Sequence, residues 1–147
     1  RILALLQENA DLSVAEIGTR VGLSSTPCWR RIQNLEKQGV IRKKVALLDR
    51  RAIDVPLTVF VMIRTSQHND SWLEKFAKGV SEIPEVLEFY RMSGTVDYLL
   101  RIVVPSVETY DAVYKRLISI ADLAEVSSSF AMEEIKYTTA LPLGYAG

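Results

Sequence analysis

The stretch SVAEIGTRVGLSSTPCWRRIQNLEKQG, Ser13 to Gly39, constrains this chain more than any other. Ser13 precedes Glu16 by three positions, the spacing at which a serine oxygen and a glutamate carboxylate each satisfy an unpaired N–H at a helix start. Val14, Ile17 and Val21 then recur at helical spacing, and Gly22 ends the pattern where a left-handed backbone costs glycine least. Ser24 and Ser25 are candidate caps for a second helix. Pro27 falls in its first turn, where the missing N–H would have had no partner within the helix. Cys28, Ile32 and Leu35 then share one face, bordered by Trp29, and Gly39 stops the helix. Two helices joined by a tight glycine turn, the second short and polar outside, make a helix-turn-helix. Ahead of them Ile2, Leu3, Leu5 and Leu6 form another apolar helical stripe.

The outer face of the second helix is rich in hydrogen-bonding groups. Ser25, Thr26, Arg30, Gln33 and Asn34 point away from the apolar seam, with Arg31 and Lys37 on its flanks. An α-helix fits the DNA major groove, where arginine grips guanine with two bonds and asparagine or glutamine reads adenine. The helix start, Ser24, Ser25 and Thr26 around Pro27, suits a phosphate. After Gly39 the run VIRKKVALLD alternates loosely and predicts a short strand or wing, from which Arg42, Lys43 and Lys44 add neutralising charge. Charge distribution agrees. Residues 1–51 hold ten Lys/Arg and five Asp/Glu, residues 52–147 eight and thirteen, so the halves carry +5 and −5 within a chain of zero net charge. Such asymmetry suits a polyanion at one half only. Trp29 is expected to pack at the core or rim, and Cys28 to be a structural thiol on the apolar face.

Residues 1–48 therefore form a helical domain, residues 49–56 a linker, and residues 57–147 a second domain. LTVFVMIRT (57–65) is β-branched and aromatic, as a buried strand requires. Ser71 and Glu74 repeat the capping-box spacing and predict a helix ending before Pro84. VLEFYRM and DYLLRIVV are strands flanking Ser93–Gly94–Thr95, a helix follows from Val107, and VSSSFAMEEIKYTTAL is a long last strand. The order β-α-β-β-α-β gives a ferredoxin-like antiparallel sheet with two helices on one face, hence an α+β protein. Gly94 lies between strands, where a positive φ comes easily, and Asp97 follows it. Its carboxylate either meets a ligand's ammonium group or ties its own turn to the backbone.

Chemistry of other kinds finds little support. One cysteine excludes an internal disulfide, and the lone His68 has no metal-binding companions. Glu133 and Glu134 are adjacent in a strand and face opposite sides, so they make no paired acid–base site. With no catalytic constellation and no cofactor motif, an enzyme is not indicated. No apolar run spans a bilayer and the start is too polar for a signal peptide, which places the protein in the cytoplasm without a membrane partner. Arg1 already stands inside an apolar pattern, so the natural chain is expected to begin earlier.

VGLSSTPCWRRIQNLEKQGVI, followed by SGTVDYLLRIVVP and MEEIK, resembles the Lrp/AsnC (leucine-responsive/asparagine regulator) family of transcription regulators over nearly the whole chain. An aspartate-bearing stretch usual ahead of the first helix is absent. The resemblance implies a winged helix-turn-helix on double-stranded DNA, with Ser24, Ser25, Thr26, Pro27, Arg30, Arg31, Gln33, Asn34, Arg42 and Lys43 in contact. It implies homodimers, assembled as four dimers into an octamer, and an amino-acid effector bound between dimers. Ser93, Gly94, Thr95, Asp97 and Tyr98 would contribute to that pocket, as would Ser128, Ser129 and Phe130, whose short hydroxyls and ring suit a side chain such as that of leucine or methionine. A rival reading is an amino-acid-sensing regulatory module of a metabolic enzyme, its helical half serving protein interaction.

Overall fold

The computed structural model describes residues 1–146 and divides into two compact units, each built round its own apolar core. The first holds three helices, α1 (Ile2–Glu8), α2 (Val14–Val21) and α3 (Ser25–Lys37). Ser13 and Glu16 close the capping box at the start of α2, and Gly22, at φ 75°, ends it. Ile2, Ile17, Cys28 and Ile32 are buried together, with Leu5, Leu6, Val21, Leu23 and Leu35 packed against them. Cys28 is thus a fully buried free thiol. Trp29 departs from expectation. It is 52% exposed, because one step along the helix from Cys28 turns it ~100° away from the seam.

The segment after α3 forms no wing strand. Among the described residues, 42–49 take part in no strand ladder. The chain from Ile135 onward belongs with the helical unit, where the Gln7 amide donates to the Leu141 carbonyl at 3.1 Å and accepts from its N–H at 2.5 Å. The compact units are bounded differently from the expected division into residues 1–48, 49–56 and 57–147. The helical unit takes Arg1–Leu47 plus the tail, and Leu48–Glu134 forms the other. Residues 49–56 are no free linker, for Arg50 bonds Thr58 and pairs with Glu134 at 2.9 Å.

The second unit contains β1 (Leu57–Arg64), α4 (Asp70–Ser81), β2 (Val86–Arg91), β3 (Tyr98–Val104), α5 (Val107–Ile120) and β4 (Glu125–Phe130). They form a four-stranded antiparallel sheet in the order β2-β3-β1-β4. Alternation along the central strands buries Val59, Val61, Ile63, Leu100 and Ile102 against Phe76 and Val80 of α4 and Val113 and Leu117 of α5. The cap of α4 is Asn69, which accepts from the Trp72 N–H at 2.7 Å; Ser71, expected to cap it, lies inside the first turn. β4 is shorter than expected. Its pairing with β1 ends at Val59 with Phe130, followed by a single bond from the Ala131 N–H to the Thr58 carbonyl, and residues 131–134 lie in no strand. The other face of the sheet is uncovered by helices and carries Phe60, Met62, Tyr90 and Leu99 around an ion pair between Arg101 and Glu88. Among the described residues no helix is long and apolar enough to cross a membrane.

Candidate DNA-reading and effector sites

Helix α3 presents one candidate surface. Its thirteen residues bury only Cys28 and Ile32, and burial of that seam turns Thr26, Arg30, Arg31 and Asn34 outward and exposed, with Gln33 half-buried beside them. At ~100° per residue, Thr26, Arg30, Gln33 and Lys37 fall along one stripe opposite the seam, with Asn34 and Pro27 adjoining it. Ser24 occupies the cap position in an extended conformation, but its side chain makes no capping bond. Ser24, Ser25 and the first-turn N–H groups therefore face solvent together. Arg42 and Lys43 lie elsewhere, in the wall of a cavity of about 870 Å³ bounded by α1, the segment after α3 and the tail. Lys44 reaches back to Glu36 at 3.8 Å, an exposed pair of small energetic weight.

What holds α3 at its angle is a close approach at Gly18, a residue the capping and turn signals pass over. A Cβ there would stand 2.5 Å from the Leu23 carbonyl oxygen, while the Leu23 N–H donates to the Gly18 carbonyl at 2.8 Å. A glycine inside a helical pattern, where it costs ~1 kcal/mol relative to alanine, is the signal in the sequence for such a contact.

A second candidate site is a cavity of about 480 Å³ at one end of the sheet. Arg64, Thr65 and Ser66 line it from the end of β1, and Gly94, Thr95 and Asp97 from the β2–β3 turn. Ala124 and Glu125 complete the wall at the start of β4. Gly94 has φ 111°, a conformation open to glycine and strained for other residues. Asp97 is held from three sides: its N–H donates to Ile63, its carbonyl accepts from Met92, and its Oδ2 accepts the Thr65 N–H at 2.8 Å. The carboxylate thus bridges to the end of β1, beyond its own turn, and one bond leaves most of its acceptor capacity available. Arg64 and Glu125, opposite each other in register, pair at 3.3 Å with both side chains exposed.

The remaining residues singled out for an effector lie outside that wall. Ser93 is exposed in the turn. Tyr98 is 5% exposed, packed among Trp72, Phe76 and Phe89, and burial raises its phenol pKa. Ser128 bonds the Tyr110 hydroxyl, and Phe130 meets the Tyr110 ring edge-on at 5.5 Å. Burial likewise raises the Tyr110 pKa, against the opposing effect of the Ser128 bond. Ser129 points to the open face of the sheet. At ~3.3 Å per residue, positions 128–130 lie ~10–16 Å along β4 from Glu125. Within one chain, Arg64 and Glu125 line this cavity beside Gly94, Thr95 and Asp97.

Known proteins match this chain over nearly its whole length. Residues 1–42 match a family model described as winged helix-turn-helix DNA-binding, and residues 58–141 match the Lrp/AsnC ligand binding domain. A glutamate uptake regulatory protein of Zymomonas mobilis is 49% identical over 97% of this chain and 87% of its own length. The DNA-binding transcriptional activator DecR of Escherichia coli is also 49% identical, over 97% of this chain and 95% of its own. Among solved structures, an AsnC family transcriptional regulator from Agrobacterium tumefaciens superposes with TM-score 0.96 at 59% identity, covering 99% of this chain and 95% of that one. A transcriptional regulator from Neisseria meningitidis in complex with L-Met gives TM-score 0.92 at 37% identity, over 97% and 93%.

Proposed function

We propose a division of labour within this chain, which belongs to the Lrp/AsnC family of DNA-binding transcription regulators and is not an enzyme: α3 reads base edges, and the cavity beside Asp97 takes the amino-acid effector. The observation that carries the first half is the outward stripe of Thr26, Arg30, Gln33 and Asn34 on a helix whose other side is buried. Arginine and asparagine in that setting discriminate guanine and adenine, each good pair by ~1–3 kcal/mol. Ser24 and Ser25 at the helix start serve a phosphate, and Arg31, with Arg42 and Lys43 after the helix, adds charge that sets affinity more than sequence choice. For the second half, support comes from Asp97 and Arg64, complementary to the ammonium and carboxylate of an amino acid and lining one cavity.

A regulator of this kind works as a homodimer in the cytoplasm, two recognition helices occupying half-sites about one DNA turn, ~34 Å, apart. The uncovered sheet face, with Phe60 and Tyr90 exposed, is the surface a second copy would cover; assembly of four dimers into an octamer would follow. Effector binding acts by favouring one arrangement of the DNA-binding heads over another, since a ligand shifts an equilibrium only through differential affinity. The test is to select binding sites from random duplexes, then compare Arg30→Ala and Asn34→Ala with the intact protein. Each variant is expected to lose ~1–3 kcal/mol on the selected site and little on random DNA, with folding intact. Equal discrimination in both variants would remove α3 as the reader.

A further inference from the structure

Trp29 is the widest side chain of α3 and the one that the helical unit leaves without a place. It is 52% exposed and stands outside the apolar cluster that holds Cys28 and Ile32. Among the described residues no aromatic ring stacks on it and no acceptor meets its indole N–H. A single exposed apolar side chain needs no explanation on its own. Its position on the helix supplies one.

At ~100° per residue, Asn34 lies ~40° to one side of Arg30 and Trp29 ~40° to the far side of Gln33, so the two border the outward stripe on opposite edges. Gln33 follows Trp29 by four positions, which makes them neighbours on the helix surface, and Gln33 is the one member of the stripe that is half-buried. A helix seated in the major groove with Arg30 and Gln33 toward the base edges therefore carries the indole into the groove as well. Most of what a side chain meets there is polar. Adenine, guanine and cytosine present nitrogen and oxygen donors and acceptors, and thymine alone presents a methyl group. An indole has one donor, no acceptor and a wide apolar face. Pressed against polar base edges, that face would strip them of water without returning their hydrogen bonds. Against the methyl it removes apolar surface from water on both sides.

We propose that Trp29 is a specificity-determining residue of the DNA contact, its indole packing on the C5-methyl of a thymine next to the base that Gln33 reads. The inference rests on the reading of α3 as the base-reading helix and adds to it an apolar contact that hydrogen-bond pairing does not supply.

The experiment selects sites from random duplexes with the full chain, then replaces each thymine of the selected site singly by deoxyuridine, which lacks the C5-methyl and keeps every hydrogen-bonding group. Affinities are measured at one salt concentration. Deoxyuridine at one thymine position is expected to weaken binding about fourfold, the loss that one buried methyl group implies. Trp29→Ala is expected to bind the thymine and deoxyuridine duplexes equally, and Trp29→Phe, which keeps an aromatic face, to retain most of the difference. Both variants should keep the urea midpoint of the intact protein, since the position is exposed and a helix accepts either residue. The thymine inference would be overturned by a deoxyuridine penalty that survives Trp29→Ala or by no penalty in the intact protein. It would also be overturned by a loss in Trp29→Ala that is equal on selected and random duplexes, as contact with the deoxyribose would give. With any of these, lost discrimination in Arg30→Ala would leave α3 standing as the reader, whereas full discrimination in both Arg30→Ala and Asn34→Ala would remove that reading itself.

Discussion

Glu88 and Arg101 sit opposite each other on the open face of the sheet, joined by two bonds of 2.9 and 3.3 Å. The Arg101 hydrogen bond holds the Glu88 carboxyl below its ordinary value of 4.5, against a smaller opposing effect of burial. A carboxylate with a depressed folded pKa contributes stability that is complete above its unfolded value and is lost as pH falls through the folded one. Stability attributable to this pair therefore persists at neutral pH and fades only below about 4.5. Glu88→Gln is expected to flatten that acid limb, seen as urea midpoints that vary less with pH below 4.5 than those of the intact protein. Identical acid limbs would show that other carboxylates account for it.

Elements here are positioned by a few backbone approaches. The angle between α2 and α3 depends on Gly18, where an added methyl meets the Leu23 carbonyl at 2.5 Å with the backbone on both sides. Gly18→Ala should raise helix propensity yet still destabilise, by ~1–3 kcal/mol, because overpacking against backbone outweighs the propensity gain. Urea denaturation followed by circular dichroism checks this. A neutral or stabilised variant would mean that the turn at Leu23 shifts freely, and α3 with it. The capping signals were legible at α2 but misplaced at α4, where Asn69 and Ser71 are both capping types two residues apart. The choice fell to Asn69 because its side chain reaches the Trp72 N–H from the position where the chain enters the helix.

On the scale of the whole molecule, the exposed residues Phe60 (38%) and Tyr90 (49%) flank the Glu88–Arg101 pair on the sheet face opposite α4 and α5. If that face joins two copies, Phe60→Asp with Tyr90→Asp puts two carboxylates into an apolar contact and should split the dimer. Sedimentation velocity would show the change, and affinity for a two-half-site DNA would fall with it, since each head then binds alone. A variant that stays dimeric would assign assembly to another surface. Order along the chain predicted two domains, but not that the tail from Ile135 rejoins the first, because its link to α1 spans 134 positions and leaves no local pattern. The candidate effector site divides the same way. Gly94, Thr95 and Asp97 were legible from a turn between strands, whereas Arg64 and Glu125 enter only through the pairing of β1 with β4.

Local chemistry determined what could be determined from the sequence alone: the capping box at Ser13 and Glu16, the glycine stops, the apolar periodicities and hence the order of helices and strands. These depend on neighbours three or four positions apart, and such contacts form in any context that lets the helix or strand form. Tertiary structure decided the exposure of Trp29, the burial of Tyr98 in the core, the early end of β4 and the meeting of Arg64, Asp97 and Glu125. Each of those depends on which distant segment lies alongside. That is settled only when strands pair and faces are covered, so the charges that meet around a cavity are the last feature a linear sequence discloses.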